Sequence, residues 1–268
     1  MHGSGNDFIL IDNRQGGISF GEAPVLAERI CRRKFGVGAD GLILIEDSSH
    51  ADFRWRFFNA DGSEAEMCGN GGRCAARFAH LSGIAPEKLS FHTLAGIIRA
   101  RVKDARVKLQ LPDLSDLLLD LSVEIYREKV QLHHINTGVP HTICFMPDLN
   151  SAPILDWGRR IRHHERFMPA GTNVNFVQVD NMHAIRIRTY GRGVEDETLA
   201  CGTGAVASAV ISACKGLVES PVEVTTWGGE VLRVYFRLDG KNVADVFLEG
   251  GTEVVYTGRI DQSWLAAV

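Results

Sequence analysis

Cys68-Gly69-Asn70-Gly71 and Cys201-Gly202-Thr203-Gly204 are one motif written twice, about half of the 268-residue chain apart. Each runs into small, mostly apolar residues, Cys74-Ala75-Ala76-Arg77-Phe78-Ala79 and Ala205-Val206-Ala207-Ser208-Ala209-Val210, which predict a buried helix in each half. A cysteine at the mouth of a helix meets backbone N–H groups and the positive end of the helix dipole, which favour negative charge. That setting lowers a thiol pKa from about 8.5 toward neutrality. Repetition on this scale predicts two similar structural halves. Two such thiols predict one reaction centre held between two domains, one thiolate taking a proton while the opposite thiol gives one.

Working outward from the first motif, the preceding residues read as strands over Phe8–Asp12, Leu42–Ile45 and Phe53–Phe58, with an amphipathic helix from Ala23 to Arg33. After it come alternating strands at Leu89–His92, Ile97–Val102 and Arg106–Leu111. Pro112-Asp113-Leu114-Ser115-Asp116 reads as the linker. The second half repeats the plan, with strands at Val130–Asn136 and Thr142–Phe145, a helix at Ile154–Arg166, and strands at Asn173–Val179 and Ala184–Thr189 before the second motif. Val222–Thr226, Glu230–Phe236 and Val243–Leu248 read as the closing strands. The expected fold is α/β, with two pseudo-symmetric domains, 1–113 and 114–251, each wrapping its strands about a central small-residue helix.

Hydrophobic residues make up 45% of the chain and charged residues 23%, as in an ordinary globular protein. A net charge of −4 offers no attraction to nucleic acid or an anionic membrane surface. No apolar run reaches the roughly 18 residues of a membrane span, and Met1–Asp7 has no secretory-signal character. A cytosolic protein with six reduced cysteines is expected.

Buried structural thiols would explain two cysteines in helix starts, but burial does not require the flanking glycines, which let backbone approach a ligand. Cys68 and Cys201 are therefore the catalytic candidates. Cys31, Cys74, Cys144 and Cys214 lie in apolar runs and read as core. Gly36-Val37-Gly38-Ala39-Asp40-Gly41 fits a dinucleotide-loop pattern but precedes a strand instead of a helix, so it reads as a turn. The pairs His133-His134 and His163-His164 point apart on a strand or a helix and chelate poorly, so no metal site is expected. His141 sits in a Gly/Pro stretch where its ring can reach a cleft. Asn6, Asn59, Asn70 and Asn173, with Arg192, could form a neutral polar lining for a zwitterion.

Four stretches carry a specific resemblance: Met1–Phe8 (MHGSGNDF), Phe58–Glu64 (FNADGSE), Cys68–Cys74 (CGNGGRC) and Ala200–Ala205 (ACGTGA). In this order, over nearly the whole chain, they resemble diaminopimelate epimerase. The resemblance implies a cofactor-independent epimerase interconverting LL- and meso-diaminopimelate in lysine and peptidoglycan precursor synthesis. It also implies that the last residues, 252–268, return to the first domain. Carried over by position, Cys68 and Cys201 resemble the two catalytic thiols. Asn6, Asn59 and Asn173 resemble substrate-binding asparagines, and Gly69-Asn70 with Gly202-Thr203 resemble the backbone donors that hold the reacting carboxylate. Arg192 resembles the arginine at the distal end of the substrate, and His141 a histidine near the cysteines. Gly191 stands where the family usually has Glu, close to the second thiol. The expected partners are the small-molecule substrate diaminopimelate and a second copy in a homodimer, with no nucleic acid and no membrane. A proline, hydroxyproline or histidine racemase, and a non-catalytic thiol redox or binding module, are the alternatives.

Overall fold

The computed structural model describes residues 1–240 and 242–265. The chain divides into two compact units, Met1–Leu109 with the segment that begins at Gly250, and Gln110–Glu249. The first is built from β1 (His2–Gly3), β2 (Asn6–Asp12), α1 (Ala23–Cys31), β3 (Gly41–Glu46), β4 (Phe53–Asn59), α2 (Gly69–Leu81), β5 (Lys88–Thr93), β6 (Gly96–Lys103) and β7 (Arg106–Gln110). The second carries β8 (Ser115–Ile125), β9 (Glu128–Asn136), β10 (Pro140–Phe145), α3 (Ile154–Arg162), a 3-10 turn at Glu165–Phe167, β11 (Asn173–Asn181), β12 (Ala184–Tyr190), β13 (Glu197–Thr198), α4 (Gly202–Cys214), β14 (Val222–Thr225), β15 (Val231–Asp239) and β16 (Asn242–Gly251). A last turn, α5 (Gln262–Leu265), closes the described chain.

The duplication is written into the strand pairing. In the first unit β2 pairs β3 parallel, β3 pairs β4 antiparallel, β4 pairs β5 parallel, and β5–β6 and β6–β7 are antiparallel. In the second unit β10–β11, β11–β12, β12–β14, β14–β15 and β15–β16 repeat the same series of parallel and antiparallel pairs. A parallel pair needs a crossover, usually helical. α1 and α3 fill the first crossover of each unit, and α2 and α4 the second.

The helices of the second crossovers are central. α2 packs on β1, β2, β3 and β6, and α4 packs on β9, β10, β11, β12, β14 and β15. A helix enclosed by strands leaves little room for large side chains. Cys74, Ala75, Ala76 and Ala79 of α2, and Ala205, Val206, Ala207, Ala209, Val210 and Ile211 of α4, are fully buried. In β3, Ile43 lies beside Gly71 of α2 while Leu42 and Leu44 pack with α1 on the other face, and with Ile45 all four are buried, as a strand covered on both faces requires.

Three expectations need correction. The helix read over Ile154–Arg166 stops at Arg162, because the ring of His164 accepts the N–H of Arg166 and starts a separate 3-10 turn. Ser115 and Asp116, read as linker, begin β8 instead; Asp116 and Asp120 adopt left-handed φ and the pairing with β9 shifts register twice, yet burial still alternates along the strand from Leu117 to Ile125. Cys214 is only partly buried at the end of α4, where a core position was expected.

α3 rests on β12 through Gly158, whose Cβ would lie 2.6–2.8 Å from Tyr190 ring and Cβ atoms. Tyr190 is itself buried and has nowhere to move. Ala in a helix interior gains about 1 kcal/mol over Gly in propensity, whereas overpacking costs about 1–3 kcal/mol. Gly158→Ala is therefore expected to lower stability, by up to about 2 kcal/mol net, read as a fall in the urea unfolding midpoint; a raised midpoint would contradict this contact.

Candidate active site

Each cysteine is the N-cap of its helix. Cys68 has φ −144° and ψ 121°, and Cys201 has φ −140° and ψ 107°, both extended. Sulfur takes the role usually played by a Ser or Asp oxygen: Sγ of Cys68 accepts the N–H of Gly71 at 3.5 Å, and Sγ of Cys201 accepts that of Gly204 at 3.3 Å. The earlier N–H groups, at Gly69 and Asn70 and at Gly202 and Thr203, have no carbonyl within their helices to bond. They are donors suited to an anion at the helix start. The glycine at the third helical position is enforced in α4, where a Cβ on Gly204 would lie 2.3 Å from Oδ1 of Asn175.

In the first unit, Cys68 donates through sulfur to Oδ1 of Asn6 at 3.7 Å, and Asn70 Nδ2 donates to the same oxygen at 3.3 Å. Asn70 Oδ1 accepts from Arg73, which also donates to Ser4 Oγ at 2.7 Å from a fully buried position. Asn6 Nδ2 donates to Asp40 at 2.6 Å. Asn59 is the register partner of Gly41, the residue after Asp40, and its amide donates to Ser63 Oγ at 3.0 Å. Asn6, Asn59, Cys68, Gly69 and Asn70 thus gather along the ends of β2 and β4 and the start of α2.

In the second unit, His141 and Asn173 are direct register partners on β10 and β11. Asn173 Oδ1 accepts the backbone N–H of Arg192 at 2.8 Å, and its Nδ2 donates to the carbonyl of Pro140 at 3.1 Å. The Arg192 guanidinium donates to the carbonyl of Ala170 at 3.2 Å. Gly191 accepts the N–H of Glu195 and donates to the carbonyl of Asp196, closing a short loop. The acidic residues of that loop are committed elsewhere: Glu195 to Arg162, His163 and the N–H of Gly193, and Glu197 to Arg188 at 2.6 and 2.7 Å.

Asn175 is the residue that sequence reading missed. It is fully buried beneath the start of α4. Its Nδ2 faces both Nδ1 of His141 at 3.0 Å and the carbonyl of Thr142, while Oδ1 accepts from Thr189 at 2.9 Å. A carbonyl only accepts, so the amide nitrogen must lie on that side. Nδ1 of His141 is then an acceptor and the ring proton sits on Nε2. Burial, then the neighbouring charges of His134 and Arg192, pushes the imidazole pKa down from 6.5 to about 3, so His141 stays neutral. The sequence signal was the spacing of Asn173 and Asn175, which places both on one strand face.

Cys201 departs from expectation in one respect. Burial raises its thiol above the ordinary value, and the Thr203 hydroxyl with the N–H groups of Gly204 and Thr203 only partly offsets this. Desolvation of the charged form outweighs the helix-start donors here.

The sequence model of the family described as diaminopimelate epimerase matches residues 1–111 and 133–253. The diaminopimelate epimerase of Aquifex aeolicus is 47% identical, over 99% of this chain and 98% of its own. Among solved structures, a phenazine biosynthesis protein of the PhzF family from Bacillus anthracis superposes with a TM-score of 0.71 at 15% identity, over 94% of this chain and 92% of its own. A probable proline racemase from Agrobacterium radiobacter K84 gives 0.63 at 18% identity, over 98% and 93%. These two share the fold alone.

The neutral His141 sets a pH dependence. Its folded pKa, about 3, lies below the 6.5 of the unfolded chain. Unfolded protein therefore binds the proton first, and stability present above pH 6.5 is lost as pH falls from 6.5 toward about 3. Each pH unit in that window removes up to about 1.4 kcal/mol. Urea melts of the parent and of His141→Gln at a series of pH values should show a shallower acid slope in the variant; equal slopes would mean that His141 does not titrate on unfolding.

Proposed function

This chain belongs to the diaminopimelate epimerase family, and we propose that Cys68 and Cys201 together perform the family's reaction, each thiol serving one face of the substrate α-carbon. The chain is an isomerase of lysine biosynthesis on this membership. The assignment of roles to residues is supported above all by one observation: two thiols stand in the same N-cap geometry at the starts of two equivalent helices.

The chemistry demands such a pair. Inverting an α-carbon means removing a weakly acidic proton from one face and supplying one to the other, so a base and an acid are both needed. One cysteine acts as thiolate, the other as thiol, and the roles exchange when the reaction runs backward. Two thiolates together would repel and raise one pKa. N–H groups at the helix starts, Gly69-Asn70 and Gly202-Thr203, would hold the substrate carboxylate and the charge that spreads onto it as the proton leaves. The amides of Asn6, Asn59 and Asn173 would fix which substituents lie where, with His141 as a neutral neighbour. Arg192, a planar guanidinium with a fork of donors, suits the distal carboxylate. The family's usual Glu is replaced by Gly191, and Glu195 and Glu197 are held in ion pairs, so backbone groups alone serve at that position.

Among the described residues no helix is long and apolar enough to cross a membrane. A cytosolic setting belongs to this reading, since reduced thiols persist there. A homodimer does too: Leu81, Val254 and Tyr256 are exposed around a largely apolar cavity of about 860 Å³ in the first unit. Sedimentation velocity tests that point.

Incubating the enzyme with diaminopimelate in deuterated water reads α-proton exchange and epimerisation together. Cys68→Ala and Cys201→Ala should each lower kcat/KM by roughly 10²–10⁴-fold or more. Near-parental epimerisation in either variant would end the two-thiol mechanism. Absence of α-proton exchange in the parent would favour a redox module.

A further inference from the structure

The stretch Gly36–Gly41, read from sequence as a plain turn, carries an acidic group into the first thiol's surroundings. We infer that Asp40, anchored by Arg33, is a positioning residue that fixes the amide of Asn6 with its oxygen toward Cys68. The inference rests on the proposed role of Cys68.

Arg33 grips Asp7 with two bonds, at 2.7 and 3.1 Å, and donates to Asp40 Oδ1 at 3.1 Å. The backbone N–H of Asp40 donates to the Asp7 carboxylate at 3.0 Å, and that of Asp7 donates to Asp40 Oδ2 at 3.2 Å. Asp40 is thereby held from three directions. Its Oδ2 then receives Asn6 Nδ2 at 2.6 Å. A carboxylate only accepts, so the amide nitrogen must face it. The amide oxygen is turned the other way, to the Cys68 sulfur at 3.7 Å and Asn70 Nδ2 at 3.3 Å.

This orientation has a chemical consequence. An acceptor facing sulfur favours the S–H form, whereas an amide N–H in the same place would favour the thiolate. The Cys201 sulfur meets instead the N–H of Gly204 and the hydroxyl of Thr203. The two halves thus share helix geometry and differ in what touches sulfur. Arg73 lies one turn along α2, with its guanidinium on Ser4 Oγ and Asn70 Oδ1. Asp7, for its part, is raised by burial, but the hydrogen bonds and charge of Arg33 outweigh this and hold its carboxyl below the usual range.

Replacing Asp40 by Asn keeps the shape but removes the charge and supplies a donor beside the acceptor, so the hold on Asn6 Nδ2 is weakened while Asn70 Nδ2 still faces the amide oxygen. The experiment measures iodoacetamide alkylation of each cysteine against pH, resolved by peptide mass spectrometry on the intact enzyme. Asp40→Asn should lower the Cys68 alkylation midpoint by about half a unit to one unit and leave that of Cys201 in place, which also reports an intact fold. Asp7→Asn removes a neighbouring carboxylate without touching the Asn6 amide and should move Cys68 by less than half as much. In an Asn6→Ala background, Asp40→Asn should add nothing, because the effect runs through that amide. Equal shifts in Asp40→Asn and Asp7→Asn would reduce the effect to charge and overturn the inference. So would an unmoved Cys68, parallel changes at both cysteines, or a full Asp40→Asn effect without Asn6. Thiol titration does not depend on turnover, so its outcome separates from a failure of Cys68→Ala to abolish epimerisation.

Discussion

A sulfur accepting the N–H three residues into a helix is the interaction on which both halves of this protein turn. It requires an extended residue followed at once by helix, and that helix must cross over between two parallel strands. A helix so enclosed must be made of small residues. Its third position must lack a side chain where Asn175 approaches to 2.3 Å of a would-be Cβ. The run of constraints explains why cysteine, glycine and alanine cluster at the same two places. Each residue answers the geometry of its neighbour.

The duplication sets geometry but not electrostatics. The series of parallel and antiparallel pairs is the same in both units, and the two cysteine N-caps agree within a few degrees in φ. Around the first thiol, the supporting groups are charged and partly exposed: Arg33, Asp7 and Asp40 acting on Asn6. Around the second they are neutral and buried: His141, Asn175 and Thr189. The two thiols are thus set by different means, the first by the Asn6 amide and the second by burial.

Gly191, where the resemblance implies a Glu, sits within this picture. A Cβ there would approach Thr198 and Val194 at 3.1 Å, so the loop has settled around the missing side chain. The neighbouring carboxylates serve Arg162 and Arg188, fastening the loop that leads into α4.

The repeat, the helix starts and most strands were determined by sequence alone, because they rest on local rules: small residues after a Cys-Gly pair, period-two alternation, turn residues between runs. Leu42–Ile45 and Phe53–Phe58 were legible as strands for that reason, and so were the two thiols and the asparagines beside glycines. Tertiary structure alone decided the rest. The start of β8 was hidden because Ser115 and Asp116 look like turn residues, and only the pairing of Ser115 with Asn136 of β9 makes them strand. The 3-10 turn after α3 depends on a single side-chain hydrogen bond from Arg166 to His164. Asp40 and Asn175 looked like a turn residue and a strand residue; their importance comes from partners 34 positions away in sequence in each case. The raised pKa of Cys201 is likewise a matter of burial, which overrode the helix-start donors that the motif displayed. Local chemistry places a group at a helix mouth, and only the packed surroundings decide what that group is paired with and how much water it keeps.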